Sequence, residues 1–264
     1  MLRRITVSVG LAVVTIAAAS SAAEPATRAT DYDNVHIRVL DPDKAAGWYV
    51  SALGARLSTP PAPGTAQVTF GANVITITKG SSVQTSAGTL IDHIGLSFND
   101  LDRAVKTAEA AGAKVTTPVR DSPGIFRYAY IEDPWGVRIE MVEDAEHLGF
   151  HHVHLRVKDP EATLAWYQQQ FGGERAKLRG RVDGVRFNGV WIFAMSSGAD
   201  TPLPPTAIML LALRVNDVDA ALKGLNAAGI NTTAEPRDLP ALRYAFVQDP
   251  NGIRVELVRR NVKP

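Results

Sequence analysis

The chain of 264 residues contains no cysteine. This absence excludes a disulfide framework, a thiolate metal site and a cysteine nucleophile, so any catalytic metal must be held by nitrogen and oxygen ligands. A strong charge of either sign is also missing, since 28 lysines and arginines stand against 27 aspartates and glutamates. Without a basic block, nucleic-acid binding is not expected.

Long apolar runs are scarce, and the most prominent one lies at the amino terminus. Residues 1–4 (MLRR) are followed by an apolar run from Ile5 to about Ala19, and then by small residues up to Ala23. This order is typical of an export signal cleaved after Ala23. The run is shorter than the roughly 20 residues that span a bilayer. We therefore predict a signal peptide over residues 1–23 and an exported chain, periplasmic or secreted, that is free of the membrane after cleavage.

The dominant feature of the sequence is an internal duplication. Two pairs of segments recur at equivalent positions: residues 35–42 (VHIRVLDP) with 153–160 (VHLRVKDP), and residues 133–140 (DPWGVRIE) with 249–256 (DPNGIRVE). Self-similarity at a fixed offset indicates tandem copies of one structural unit. We predict a first domain over residues 34–146 and a second domain over residues 150–260.

Each half divides again into two modules. In the first module, strand Val35–Val39 is followed by Asp41, which can cap a helix, and then by several short strand-like runs. The second module repeats this order from strand His93–Phe98, the third begins at His152, and the fourth begins near Met209. The chain is therefore predicted to be an α+β protein built from four tandem βαβββ modules.

Position parity within the strands separates the core face from a polar face, because alternate residues of a strand point to the same side. The apolar residues of the first strand share one face, which leaves His36 and Arg38 on the other. By the same argument His93, Arg138 and Glu140 lie on the polar face of the second module. Two imidazoles and one carboxylate suit a divalent first-row metal. His36, His93 and Glu140 are therefore candidate metal ligands.

These residues and their spacing resemble the vicinal oxygen chelate superfamily of glyoxalases, bleomycin-resistance proteins, fosfomycin-modifying enzymes and extradiol dioxygenases. Residues 130–140 (YIEDPWGVRIE) are similar to the extradiol-type signature. The resemblance covers about residues 34–260 and implies that paired modules form two half-barrel domains. It also implies one divalent metal ion (Fe, Mn, Zn, Ni or Co) and a small-molecule substrate bound through two neighbouring oxygens. A monomer or a homodimer is expected.

The second half lacks one of the ligands. Leu210 stands at the position of His93, and leucine cannot bind a metal. A second complete site would need a substitute such as His152, which shares a strand face with His154. We predict that a degenerate second site of His152, His154 and Glu256 serves chiefly as support or as a substrate wall.

The pairing of modules determines which histidine completes the first site. His93 and Glu140 are ligands in either arrangement. If each half pairs its own two modules, the remaining ligand is His36, whereas an exchange that brings the second module against the third replaces His36 with His154. We favour His36, because consecutive elements usually pair locally.

The resemblance implies a metal-dependent enzyme, with dioxygenase-like chemistry as one interpretation. Tyr130 is the candidate proton donor, although it could also be an aromatic residue packed beneath the concave polar face of the half-barrel, here called the cup. Arg38 and Arg138 could orient an anionic substrate or pair with nearby carboxylates. A glyoxalase-like lyase or isomerase is the alternative reaction, but residues 73–78 lack the second carboxylate usual in glyoxalase I. The alternative of another class is a protein that sequesters a small molecule without turnover.

Overall fold

A computed structural model describes residues 27–60, 62–81, 84–197 and 206–261. The predicted signal peptide over residues 1–23 lies outside the described residues. Over the described ranges, none of the helices combines the length and the apolar character needed to cross a bilayer.

The four modules share the element order βαβββ, as predicted. Module 1 contains β1 (Ala29–Val39), α1 (Pro42–Leu53), β2 (Arg56–Ser58), β3 (Thr65–Phe70) and β4 (Asn73–Lys79); module 2 contains β5 (Ile91–Ser97), α2 (Leu101–Ala110), β6 (Lys114–Ser122), β7 (Phe126–Glu132) and β8 (Arg138–Glu143). Module 3 contains β9 (Gly149–Val157), α3 (Pro160–Phe171), β10 (Glu174–Leu178), β11 (Val182–Phe187) and β12 (Val190–Ser196); module 4 contains β13 (Ile208–Val215), α4 (Val218–Ala227), β14 (Thr232–Leu239), β15 (Leu242–Gln248) and β16 (Arg254–Arg260).

An aspartate caps the amino terminus of each helix, and this explains why the chain leaves the first strand of every module at the same point. The caps are Asp41, Asp100, Asp159 and Asp217. The carboxylate of Asp41, for example, accepts a hydrogen bond from the backbone N–H of Lys44 at 3.0 Å. Such a bond satisfies a backbone donor that has no partner within the helix. The helix α1 ends at Gly54, whose φ of 73° is left-handed and favours glycine.

The strands form two eight-stranded sheets that each combine two modules. One sheet has the order β10-β11-β12-β9-β5-β8-β7-β6, and the other has the order β14-β15-β16-β13-β1-β4-β3-β2. We name the first the central half-barrel (residues 91–196) and the second the outer half-barrel (residues 29–79 with 208–260). Antiparallel pairing of β5 with β9 joins modules 2 and 3, and pairing of β1 with β13 joins modules 1 and 4. The favoured pairing within each half was therefore wrong.

The lengths of the connections account for this exchange. Modules 2 and 3 are joined only by residues 144–148, whereas residues 80–90 join modules 1 and 2, and residues 197–207 join modules 3 and 4. A short connection favours antiparallel neighbours, while the two longer connections leave room to pass from one sheet to the other. Local pairing does operate, but between modules 2 and 3. The half-barrels consequently do not coincide with residues 34–146 and 150–260, which are the units of duplication.

The core lies between the apolar faces of the strands and the helices. The residues that parity assigned to the core face of β1, namely Val35, Ile37 and Val39, are all buried. Tyr49 of α1 is fully buried and donates a hydrogen bond from its hydroxyl to Oδ2 of Asp133 at 2.9 Å. This contact fastens a helix of the outer half-barrel to the turn that precedes β8 in the central one. The polar faces of the strands are thus left free to line the two cups.

Candidate metal centre

Four side chains of the central half-barrel converge on one point. His93 lies on β5, Glu140 on β8, and His152 and His154 on β9; one potential ligand atom from each lies within 4.8 Å of all the others. The sheet register produces this arrangement, because His93 is paired with His154 across β5 and β9. His93, His152 and Glu140 are buried, while His154 is partly exposed.

Hydrogen bonding fixes the orientation of His93. Its Nδ1 lies 2.6 Å from Oδ1 of Asp92, a carboxylate with no exposed surface. A carboxylate only accepts, so Nδ1 carries the proton and donates it, and in the neutral ring Nε2 keeps its lone pair. That Nε2 lies 3.1 Å from Oε2 of Glu140. Two acceptors at this distance require a cation or a shared proton between them. Orientation of a histidine by a carboxylate is the usual support for a metal ligand.

A second chain of contacts orients His152 in the same way. Nε2 of His151 lies 3.4 Å from Oδ2 of Asp144, and Nδ1 of His151 lies 2.8 Å from Nδ1 of His152. If His151 donates to Asp144, it accepts from Nδ1–H of His152, and the lone pair of His152 is then on Nε2. This buried Nε2 lies 3.1 Å from Oε2 of Glu140 without the geometry of a hydrogen bond. An unpartnered buried nitrogen is costly, and a metal ion would satisfy it.

Gly95 provides the space that His152 occupies. The two residues are paired across β5 and β9, and a Cβ at Gly95 would lie 2.1 Å from two atoms of the His152 ring. In the outer half-barrel the corresponding pair is Ala212 and Asn34. The methyl group of Ala212 is accommodated there because asparagine is smaller than histidine. His152 is therefore a full member of the cluster. The sequence signal that could have identified it is the combination of glycine and histidine at these paired positions.

The cluster combines two imidazoles that burial keeps neutral, those of His152 and His154, with an ionised carboxylate. Burial lowers the pKa of His152 to about 4 and that of His154 well below its usual range. Burial would raise the pKa of Glu140, but the contacts with His152 and His93 hold it well below its usual range. For His93, burial would lower the pKa, but Asp92 and Glu140 together raise it. At neutral pH the site thus offers the nitrogen lone pairs of His152 and His154 and the negative charge of Glu140, and a bound cation would displace any proton that His93 and Glu140 share. This is the donor set of a divalent first-row metal.

A model of the glyoxalase/bleomycin resistance protein/dioxygenase superfamily matches residues 31–141 and, a second time, residues 149–257. The chain belongs to this superfamily. The resemblance inferred from the sequence motifs is thus confirmed, together with the α+β fold of tandem modules.

Relatives within the superfamily are distant. The chain is 24% identical over 169 residues to "Putative glyoxylase CFP32" of Mycobacterium tuberculosis, an alignment covering 60% of this chain and 65% of that protein. It is 26% identical over 183 residues to "Probable lactoylglutathione lyase, chloroplastic" of Arabidopsis thaliana, covering 61% of this chain and 50% of that protein. The chain thus spans less than two thirds of these curated relatives. Glyoxalase I from Zea mays superimposes with a TM-score of 0.67 at 20% identity, covering 88% of this chain and 92% of that one, which shows a shared fold.

Tyr130 and Arg138 adjoin the cluster. Tyr130 is the cross-strand partner of Glu140, and its ring centroid lies 5.2 Å from that of His93. Burial, followed by the charge of Glu140, raises the pKa of Tyr130 well above its usual range. The guanidinium of Arg138 lies 4.1 Å from the centre of the Tyr130 ring and donates to Asp92 at 2.7 Å. Arg138 is therefore paired with Asp92, the carboxylate that orients His93.

His36 and Arg38 are not part of the cluster. The Nε2 atom of His36 lies 3.1 Å from Oε2 of Glu256 in the outer half-barrel, where Leu210 is paired with His36 across β1 and β13. Because β1 belongs to the other sheet, His36 cannot join His93 and Glu140. His154, the ligand expected if modules are exchanged, lies in the cluster instead. Arg38 lines a separate cavity.

The predicted degenerate second site is not assembled as proposed. His152 and His154 lie with Glu140, while Glu256 faces His36. The physical reason is again the exchange of modules, which places β9 and β16 in different sheets. The supporting residues Asp144 and His151 were not identified from the sequence. Together with His147 they form a second group whose potential ligand atoms lie within 4.8 Å of one another.

Proposed function

We propose that this protein is a metal-dependent enzyme that binds a small substrate through two neighbouring oxygen atoms and catalyses proton transfer of the lyase or isomerase kind. The observation that carries the proposal is the convergence of buried nitrogen and oxygen acceptors from His93, His152 and Glu140. The names of the curated relatives, a glyoxylase and a lactoylglutathione lyase, support the same reaction class.

His93, His152, His154 and Glu140 would hold the ion, and Fe, Mn, Zn, Ni and Co all accept such ligands. When bound, a divalent metal polarises substrate oxygens and stabilises the anion formed by proton loss. Glu140, the one carboxylate among these four ligands, would also be the base that removes a proton from substrate carbon. The strand β12, which pairs with β9 on the side away from β5, adds no second carboxylate to the cluster, since its residue paired with His154 is Phe193.

Tyr130 would act as a hydrogen-bond donor. Because its pKa is raised, the hydroxyl keeps its proton throughout the physiological range. Its position beside Glu140 on the neighbouring strand allows it to donate to an oxygen on which negative charge develops. The guanidinium of Arg138 stacks on the ring of Tyr130 and holds that ring in place.

Oxygen-dependent cleavage of a catechol is the second candidate, and the specific observation in its favour is the similarity of residues 130–140 to the extradiol-type signature. The two reactions give different signals. Solvent-deuterium exchange at the carbon-bound proton of α-hydroxycarbonyl compounds, followed by NMR, reports proton transfer, while oxygen consumption with a catechol panel reports dioxygenase chemistry. Exchange without oxygen uptake is the expected result.

The metal itself is tested by elemental analysis of protein purified without chelator. We expect metal in the wild type and its loss in His93→Ala and Glu140→Ala. His36→Ala and Glu256→Ala, at the equivalent positions of the outer half-barrel, are the matched controls and should retain it. Unchanged metal content in both site variants would refute the proposal, and a metal-free wild type would favour a protein that only sequesters a small molecule.

We also propose export, on the basis of the residues before Glu24 alone. Cell fractionation followed by N-terminal sequencing should find a chain beginning at Glu24 in the periplasm or the medium. A chain that begins at Met1 in the cytoplasmic fraction would contradict this proposal.

A further inference from the structure

A cavity of about 290 Å³ lies where the carboxyl end of β1 meets the beginnings of β13 and β16. Polar and apolar groups contribute about equally to its walls, and the apolar side chains with exposed surface there are Leu90 and Met209. Two arginines, Arg38 and Arg254, line the same cavity. Its volume is near the lower end of the range of small-molecule pockets. The cavity lies between the outer half-barrel and the connection that leads into β5, and none of the four residues of the metal cluster lines it.

Arg254 has lost the partner that its counterpart keeps. In the central half-barrel, Arg138 donates to Asp92 at 2.7 Å. The duplication places Met209 at the position of Asp92 and Arg254 at that of Arg138. Arg254 instead lies over the ring of Phe246 at 3.6 Å, and it forms no ion pair with any carboxylate of the described ranges. The guanidinium is thus positioned by stacking while its charge has no anionic partner there.

Arg38 shows the same difference from its counterpart. Arg156, at the equivalent position in the third module, donates to the backbone carbonyl of Ser197 at 3.3 Å. Arg38 makes no such contact with the described part of the chain, and its side chain crosses Gly80 so closely that a Cβ there would lie 2.4 Å from its Cδ. Glycine at this position therefore leaves the room in which the stem of Arg38 lies against the backbone, at the edge of the cavity.

The nearest carboxylate on the same strand face does not neutralise these charges. Glu256 lies two residues beyond Arg254 on β16, and its Oε2 contacts Nε2 of His36 at 3.1 Å. Without a local anion, two guanidinium groups beside the partly exposed Leu90 and Met209 favour a ligand that carries negative charge on an apolar body. Guanidinium groups bind carboxylates through paired, charge-assisted hydrogen bonds.

We propose that a small organic acid binds in this cavity at the edge of the outer half-barrel, independently of metal, with its carboxylate held by Arg38 and Arg254 and its apolar part against Leu90 and Met209. Met209, which stands where the central half-barrel has Asp92, lines the cavity and leaves Arg254 without a carboxylate there. This site is additional to the reaction proposed above and does not depend on it.

The test is isothermal titration calorimetry of the full chain with benzoate, which carries one negative charge on an apolar ring. Wild type should bind, and Arg38→Gln and Arg254→Gln should each weaken binding about tenfold or more, as expected for one charge-assisted contact. Arg259→Gln is the matched control, since Arg259 lies on the opposite face of the same strand and is exposed. Arg38→Lys, which keeps the charge, should retain part of the affinity, and circular dichroism checks that all variants are folded.

The His93→Ala variant separates this site from the metal centre. It should bind benzoate like the wild type even though its metal is lost. Absence of benzoate binding in the wild type would overturn the proposal, as would binding that disappears in His93→Ala but survives in both arginine variants. Binding of inorganic phosphate without binding of benzoate would overturn the assignment to organic acids.

Discussion

The replacement Gly95→Ala tests the metal centre without removing any ligand. The new Cβ would lie 2.1 Å from the ring of His152, whereas carbon atoms in ordinary contact are about 3.5–4.0 Å apart. The clash involves Cγ as well as Nδ1 and Cε1, so a small tilt of the ring cannot relieve it and His152 must leave the cluster. We expect metal affinity to fall about 10–100-fold, which corresponds to roughly 1.4–2.7 kcal/mol.

Competition with a chromophoric chelator measures this affinity directly. The double variant Gly95→Ala with His152→Asn is the informative control, because it reproduces the pair of Ala212 and Asn34 that the outer half-barrel already accommodates. Its thermal stability should recover relative to Gly95→Ala, since the clash is gone, while its metal affinity should stay low. Wild-type metal affinity in Gly95→Ala would refute the assignment of His152 as a ligand. Weak binding in Gly95→Ala that the double variant restores would refute it equally.

Three further outcomes follow from buried carboxylates. Asp92→Asn removes the negative charge that orients His93 through its Nδ1 proton, so metal affinity should fall about 10–100-fold in the same competition assay, with the exposed Asp43→Asn as control. Asp33→Asn leaves Arg260 without its buried partner, and urea unfolding should show a loss of about 3–5 kcal/mol with unchanged metal content. Burial alone would raise the pKa of Asp33, but the contact with Arg260 lowers it. The stability that the ion pair contributes is therefore present above the unfolded-state pKa of about 3.9 and is lost as pH falls through the folded-state pKa. The two proteins should therefore converge in stability at acid pH, and a constant difference down to about pH 2 would contradict the assignment.

The sequence was sufficient to predict the modules because local physics determines them. The aspartate caps and the alternation of apolar residues act over a few residues each, and both occur four times. The pairing of modules is a different kind of information. It depends on how far a connection reaches, and residues 80–90 and 197–207 are long enough to allow either arrangement. His93 and Glu140 were predicted as a pair because they lie in one module, whereas the third histidine depended on the pairing.

The supporting residues were missed for a related reason. Asp92 directly precedes His93, so simple alternation would place the two side chains on opposite faces, yet the carboxylate of Asp92 reaches Nδ1 of that histidine. The register of β5 against β9 shifts between Ile91 and His93, and this irregularity breaks the alternation that parity assumes. Parity is reliable along a regular strand and fails at a bulge, and bulges are common next to functional sites.

The duplication shows how few positions separate the two cups. His154 and His36 occupy equivalent places, and each lies on a strand whose partner differs: β5 presents His93 and Gly95, whereas β13 presents Leu210 and Ala212. The glycine and the second histidine of the strand, His152, depend on each other, since the histidine has no room without the glycine. Introducing a side chain at the glycine, or removing the histidine, would therefore damage the site, while the outer half-barrel, which has Ala212 and Asn34 at these positions, keeps the same fold.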